Sequence, residues 1–203
     1  MKDSLFRTAE TGNPAADERA LVRRSAEGDG AAFRVLVDRH RDRAYALALR
    51  LLRSEPDAEE VAQDAFVRAW RAIGEFRGDA SFSTWLYRIV WRRSMDRAAV
   101  LKTRRAHEMA LEPGVEGEPA RELPPDRFER MIAPLSDVQR AAVTLFYYED
   151  RSVTEVARAL DLPEGTVKTH LSRARAALRR RFAEESGAAP AGPGEIGGID
   201  DLV

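Results

Sequence analysis

Cysteine is absent from the 203 residues, which removes disulfides, thiolate metal sites and thiol nucleophiles together and fits a reducing compartment. Histidine is scarce: His40, His107 and His170 stand far apart in the chain, and none has a second ligand at helical spacing. His40 falls on an apolar stripe and reads as a packed, hydrogen-bonded imidazole rather than a metal ligand. No Walker loop and no dinucleotide glycine motif occurs. The paired acids Glu59-Glu60 and Asp200-Asp201 are adjacent rather than facing, which suits surface charge and not acid–base work. The expectation is therefore no enzyme, no cofactor, no metal and no small-molecule substrate. Long apolar runs are missing too. The best, 44–52, is broken by Arg50 and is far too short to cross a bilayer, and no basic-then-apolar signal opens the chain. No membrane insertion and a cytoplasmic location are expected.

Lysine occurs only three times against 30 arginines, as a GC-rich coding bias would produce, and the formal net charge is only −1. That balance looks wrong for a nucleic-acid binder until it is resolved by segment. The stretch 77–105 carries eight bases against two acids and 164–182 carries six against one, whereas 106–130 and the tail from Ala183 are acidic. Coding bias explains arginine over lysine but not this segregation.

Length and a Gly/Pro/Glu-rich stretch at 108–125 favour two small domains. Helical signals dominate, with no hairpin turn, strand alternation or fixed repeat. Asp17 and Asp29 are candidate N-caps and Gly28 a helix stop. Over 31–52, Phe33, Leu36, Val37, Ala44, Leu47, Ala48 and Leu51 share one face. Asp57 with Glu60 forms a candidate capping box for a helix to about Gly74, and Ser81 can cap another through about Ala98. Ser136 with Gln139, and Ser152 with Glu155, repeat the capping-box pattern further on. The fold class is all-α: two small helical domains joined by a flexible acidic linker, the second a helix-turn-helix. The expected division is 1–16 disordered, 17–105 first domain, 106–125 linker, 126–183 second domain and 184–203 disordered tail.

The most specific local signal is SVTEVARALDLPEGTVKTHLSRARAALRRRF, from Ser152 to Phe182. Val153, Val156, Ala157 and Leu160 give one apolar face, and Val167, Leu171, Ala174 and Leu178 the next. At the corner Asp161 tolerates a left-handed backbone, Leu162 plugs the gap, and Pro163 cannot continue the first helix. With that stripe buried, the outer side of the second helix can enter a groove. Thr169, Ser172 and Arg173 are candidates for base edges; Lys168, Arg175, Arg179 and Arg180 for phosphates; His170 for either. For Arg179 to Arg181 a solvated helix end is the plainer alternative.

Two earlier faces are less decided. On FSTWLYRIVWRRSMD, Phe82, Trp85, Leu86, Ile89 and Val90 point inward. Thr84, Tyr87, Arg88 and Trp91 then form an opposite face that suits either base stacking with a phosphate clamp or packing on neighbouring helices. On DAEEVAQDAFVRAWRAIGEF the inner stripe leaves Glu60, Gln63, Asp64, Val67 and Arg71 outside, a face for docking another helical protein or an ordinary solvated surface.

These elements, with the opening LVRRSAEGDGAAFRVLVDRHRDRAYALALRLL and with LSDVQRAAVTLFYYED before the helix-turn-helix, resemble the extracytoplasmic-function group of bacterial RNA polymerase sigma factors over roughly 17–182. The resemblance implies core RNA polymerase (largest-subunit clamp, and flap) and promoter DNA as partners, and an anti-sigma factor that holds the chain inactive. It makes Glu60, Gln63, Asp64, Val67 and Arg71 clamp-binding candidates. It assigns the −10 element to the loop and helix carrying Arg77, Phe82, Thr84, Trp85, Tyr87, Arg88, Trp91 and Arg92, with a flipped base held in a loop pocket at 77–84. The −35 element falls to the helix from Glu164 to Arg180, and the linker to the polymerase active-site channel. Two departures stand out: Arg92 where the family often has Asn, and Asp161 where the corner often has Gly. The rival reading is a stand-alone helix-turn-helix regulator that binds its operator without polymerase. The tail GGIDDLV is a docking peptide or tag at most, and plain disorder is the simpler reading.

Overall fold

The computed structural model describes residues 14–111 and 127–186; the acidic linker segment 112–126 and the GGIDDLV tail lie outside them. The described chain is all-helical. Four helices form the first module: α1 (Pro14–Ala26), α2 (Gly30–Leu52), α3 (Glu55–Ala72) and α4 (Phe82–Leu111). Four more form the second: α5 (Arg127–Ile132), α6 (Asp137–Val143), α7 (Val153–Leu160) and α8 (Glu164–Ser186).

Caps set the corners. Gly28 takes φ +94° and ends α1, and Asp29 follows as the N-cap of α2, its Oδ1 accepting from the Ala31 and Ala32 amides at 2.9 and 3.0 Å. Its Oδ2 accepts from Arg24 at 2.6 Å, tying the two helices at their joint. Asp17 is not a cap: α1 begins at Pro14, where a missing N–H is harmless, and Asp17 instead pairs with Arg39 of α2 at 2.6 Å. The cap of α3 is Ser54 rather than Asp57, with Pro56 in the first turn. Asp57 has turned inward to accept from Arg97 Nε at 2.6 Å. A 3-10 turn, Ile73–Glu75, finishes α3.

Helix α4 runs well beyond Ala98 and continues through 106–111, a stretch expected as linker. Its sequence past Asp96 is nearly all Ala, Leu, Arg, Lys, Glu and Met, which favour helix, and nothing interrupts it before Pro113. In the first core, Leu36, Leu47 and Ala48 of α2 meet Ala58, Val61, Ala65 and Ala69 of α3 and Leu86 and Val90 of α4, all buried. The alanine stripe on α3 lets neighbouring backbones approach closely.

Both later capping boxes form: Ser136 with Gln139 opens α6, and Ser152 with Glu155 opens α7. Between them lies a π-helical turn, Thr144–Tyr148, which no periodicity in the sequence announces. Asp161 takes the left-handed conformation at φ 59° and ψ 45°, ending α7. Val156, Leu160, Val167, Leu171, Ala174 and Leu178 close the second core.

The modules are packed on each other chiefly along two contacts, with a smaller one between α2 and the π-helical turn. Helix α7 lies against α4, and α6 against α2. At the second contact the buried Arg140 donates to the Arg50, Leu51 and Leu135 carbonyls at 3.4, 3.2 and 2.9 Å. It thereby satisfies acceptors that the last turn of α2 leaves open. Desolvation, and then the nearby Arg53, lower the pKa of this guanidinium. Arg53 also donates to the Ala133 carbonyl.

Candidate nucleic-acid interface

The helix-turn-helix corner fixes which side of α8 faces out. Thr154 Oγ1 donates to Glu164 Oε1 at 2.7 Å, joining α7 to the start of α8, and Leu162 is half-buried beneath the turn. With Val167, Leu171, Ala174 and Leu178 inside, Lys168, Thr169, Ser172, Arg173, Arg175, Arg179 and Arg180 are all exposed. They form one continuous cationic and hydroxylic face. Thr169 Oγ1 donates back to the Gly165 carbonyl at 2.9 Å, so its lone pairs are what it offers outward. His170 is half-buried at the edge, and its Nδ1 lies in the interior without a hydrogen-bond partner.

The face of α4 is arranged differently. Tyr87 is 0% and Trp91 8% exposed, and Thr84 and Phe82 are also buried. Of the two open readings of this face, packing is the one found here, because α7 of the second module covers it. Tyr87 Oη donates to Glu149 Oε2 at 2.6 Å, a carboxylate only 3% exposed and 3.8 Å from Arg43 Nε. Burial, and then the Glu149 hydrogen bond and charge, push the phenol well above its ordinary value of 10. Thr84 Oγ1 donates to Glu155 Oε1 at 3.3 Å. Arg88 and Arg92 reach out to Asp161, at 3.0 and 2.8 Å.

Beside this face is a pocket of about 300 Å³, walled by Phe76, Arg77, Gly78, Asp79, Thr84, Trp85 and Arg88. Gly78, at φ +76°, turns its floor loop. Ser81 Oγ accepts from the Thr84 amide at 3.1 Å and lies 2.8 Å from Thr84 Oγ1, which holds the loop onto the start of α4. Phe76, Phe82 and Trp85 stack as a tilted cluster, with Phe76 to Trp85 centroids 5.1 Å apart. One wall comes from the other module: Arg158 of α7 lines the pocket and donates to the Asp79 carbonyl at 2.6 Å.

On α3, Glu60, Gln63, Val67 and Arg71 are exposed. Asp64 is only partly so, being held by Arg68 at 2.8 Å and by Arg93 of α4 at 2.5 Å. Burial raises its pKa, but hydrogen bonds from those two guanidiniums outweigh this and keep it below the usual 3.8. Trp70 is 38% and Val67 47% exposed, one turn apart on the same helix. Trp70 stacks on Phe33 at 5.0 Å. Trp70 is not among the candidates named from sequence, although its three-residue spacing from Val67 is a usable signal. Neither Glu149 nor Arg158 carries a local signal, and Glu155 announces only its cap of α7, because their contacts here reach more than 60 residues away.

A family model described as Sigma-70 region 2 matches residues 36–105, and one described as Sigma-70, region 4 matches 125–178. The ECF RNA polymerase sigma factor SigW of Bacillus subtilis is 33% identical over 178 residues, 79% of this chain and 94% of that protein. The chain belongs to the ECF family of RNA polymerase sigma factors. A second relative, SigM of Mycobacterium tuberculosis, is 38% identical over 156 residues, 75% of this chain and 78% of its own length. Among solved structures, CnrH in complex with the cytosolic domain of CnrY superposes with a TM-score of 0.62 at 30% identity, covering 83% of this chain and 99% of that one. The sigma factor RpoE of Bartonella quintana, in complex with the anti-sigma factor NepR, shares the fold at a TM-score of 0.58. In this ECF sigma factor, α2 from Leu36, all of α3 and most of α4 make up the region-2 match. Helices α5 to α7 and most of α8 make up the region-4 match.

Proposed function

We propose that this ECF sigma factor binds core RNA polymerase through the outer face of α3, reads the −35 element with α8, and recognises and melts the −10 element with α4 and the loop before it. The observation that carries the reading is the sidedness of α8. Its apolar residues are buried and its Thr169, Ser172, Arg173 and Lys168 are exposed in the order that a recognition helix needs in a major groove. Thr169, Ser172 and Arg173 meet bases, and His170 meets bases or phosphate. Lys168, Arg175, Arg179 and Arg180 meet phosphates, which position the helix without reading sequence.

On α3, Val67 and Trp70 supply an apolar centre to which Glu60, Gln63 and Arg71 add a polar rim, a composition suited to a helical partner such as the polymerase clamp. Asp64, tied to Arg68 and Arg93, shapes that face more than it contacts the partner. At the −10 element, Arg77, Thr84 and Trp85 line a pocket of base-binding size, and the buried Phe82 packs against Trp85 behind it. Tyr87, Trp91, Arg88 and Arg92 supply rings and cations alongside it. The second module completes the contact to the polymerase flap, and an anti-sigma factor holds the chain inactive by covering its polymerase-binding faces. The chain works by positioning, with no chemistry of its own. Among the described residues no helix is long and apolar enough to cross a membrane, consistent with action beside the polymerase in the cytoplasm.

Reconstitution tests this reading. Core RNA polymerase plus the purified chain is expected to give run-off transcripts from a subset of promoters in a genomic library, with unpaired thymines around −10. Tight, specific operator binding by the free chain, with no transcription from any promoter, would instead identify a stand-alone regulator.

A further inference from the structure

Helix α8 carries its apolar stripe further than the second core does. Val167, Leu171, Ala174 and Leu178 are buried, but Phe182, one turn on, is 57% exposed. Beside it stand the exposed Arg175, Arg179 and Arg180, and neither these nor Lys168 and Arg173 form an ion pair with a described residue. The sequence that follows has the opposite character. Residues 187–194 are all Gly, Ala or Pro, and 195–203 carry Glu195, Asp200 and Asp201, no base, and the apolar Ile196, Ile199, Leu202 and Val203. This segment lies outside the described residues, but its reach is fixed by its length. From Ser186 back to Lys168 the axis of α8 measures roughly 27 Å. The spacer 187–194 extends up to about 26 Å, so 195–203 can be laid over any part of the cationic face.

We propose that segment 195–203 docks on the exposed face of α8 in the free chain, its isoleucines over Phe182 and its carboxylates against Arg175, Arg179 and Arg180, as an intramolecular stand-in for DNA phosphates. Charge selects this site. The other exposed apolar patch, Val67 with Trp70 on α3, has the exposed Glu59 and Glu60 on the same helix, which repel an acidic segment. Exposed ion pairs are individually weak and are screened by salt. The tether offsets this, because a short connection supplies an effective concentration on the order of millimolar, at which a contact of millimolar affinity is about half occupied. Duplex DNA, with many more phosphates for the same face, displaces the segment. The docked tail thus discounts indiscriminate binding of the free chain to polyanions. What the face finally binds rests on the functional reading above, whereas the docking rests on charge and apolar surface alone.

The chain has no cysteine, so a nitroxide at Gly198→Cys reports the position of the segment through paramagnetic broadening of backbone amide signals in the full-length protein. Broadening centred on Arg179 and Phe182 is expected, independent of protein concentration and removed by an excess of random-sequence duplex. The full-length variant Glu195→Gln/Asp200→Asn/Asp201→Asn, labelled at the same position, is expected to lose it. Unlabelled, that variant should bind the duplex about threefold to tenfold more tightly at low salt, with the gap closing as salt is raised. Broadening absent from α8, centred on Val67 and Trp70, unchanged by the triple substitution or surviving excess duplex overturns the proposal. Broadening that grows with protein concentration overturns it too, since a second copy would then supply the tail. Tighter binding by the variant with no broadening in the wild type would show repulsion at a distance, and not docking. Neither polymerase nor promoter is in the sample, so failure here leaves the sigma-factor reading standing. A chain that docks its tail yet directs no transcription overturns that reading alone.

Discussion

Arg92 and Asp161, 69 residues apart in sequence, meet at 2.8 Å across the boundary between the modules. These are the two positions at which the family resemblance leads one to expect other residues, asparagine and glycine, and here they form one ion pair. Neither is explained by its own helix: Arg92 adds a cation to a face already carrying Arg88, and Asp161 puts a side chain on a corner that glycine could turn alone. Together they make a contact that exists only when the modules are closed.

The recognition face of α8 predicts two separable losses. Arg173→Ala is expected to weaken −35 binding by about 1–3 kcal/mol and to relax the base preference at a single position. Arg179→Ala should weaken binding to all sequences alike and reduce the slope of log affinity against log salt by about one. Holoenzyme titrations against a −35 duplex and its single-base variants, at several salt concentrations, distinguish the two.

Acid should loosen the first module through Glu18. Its carboxylate is held below the usual 4.5, chiefly by the hydrogen bond from His40 at 2.9 Å and against the opposing effect of burial. A carboxyl whose folded pKa is depressed contributes stability that is fully present above its unfolded value and is lost as pH falls through the folded one. Stability is therefore expected to decline as pH drops below 4.5, and Glu18→Gln should flatten that decline. Urea midpoints measured between pH 3 and 7 check it.

Ser152→Ala removes the reciprocal bonds that open α7, where Ser152 Oγ accepts from the Glu155 amide at 3.2 Å. The expected cost is about 1 kcal/mol. Leu36→Ala, at a fully buried position of the first core, should cost about 2–5 kcal/mol. Denaturant melts of both variants test whether the two cores unfold together, as the packed interface between them requires: a shared transition is expected, and two separate midpoints would contradict it.

The parts legible in the sequence were those decided within a few residues. Ser152 with Glu155, Ser136 with Gln139, Asp29 after Gly28 and the Asp161 corner announce themselves because a cap is satisfied by its own neighbours. The apolar stripe of α8 fixed its exposed face for the same reason. What escaped was set by distance. Ser54 outcompeted Asp57 as a cap because Asp57 had a partner 40 residues away in Arg97. The side on which Tyr87 and Trp91 lie was readable from periodicity, but what covers them was not, since the covering helix belongs to the other module. The π-helical turn that precedes Glu149 has no spacing signature at all.

The most direct test is a titration of labelled protein against core RNA polymerase with two variants at exposed positions, Val67→Asp on α3 and Arg173→Ala on α8. Val67→Asp is expected to abolish binding to core while leaving the melting temperature unchanged, and Arg173→Ala to bind core normally yet lose promoter-directed transcripts. Undiminished core binding by Val67→Asp, or loss of core binding by Arg173→Ala alone, would contradict the assignment of polymerase and promoter to these separate faces.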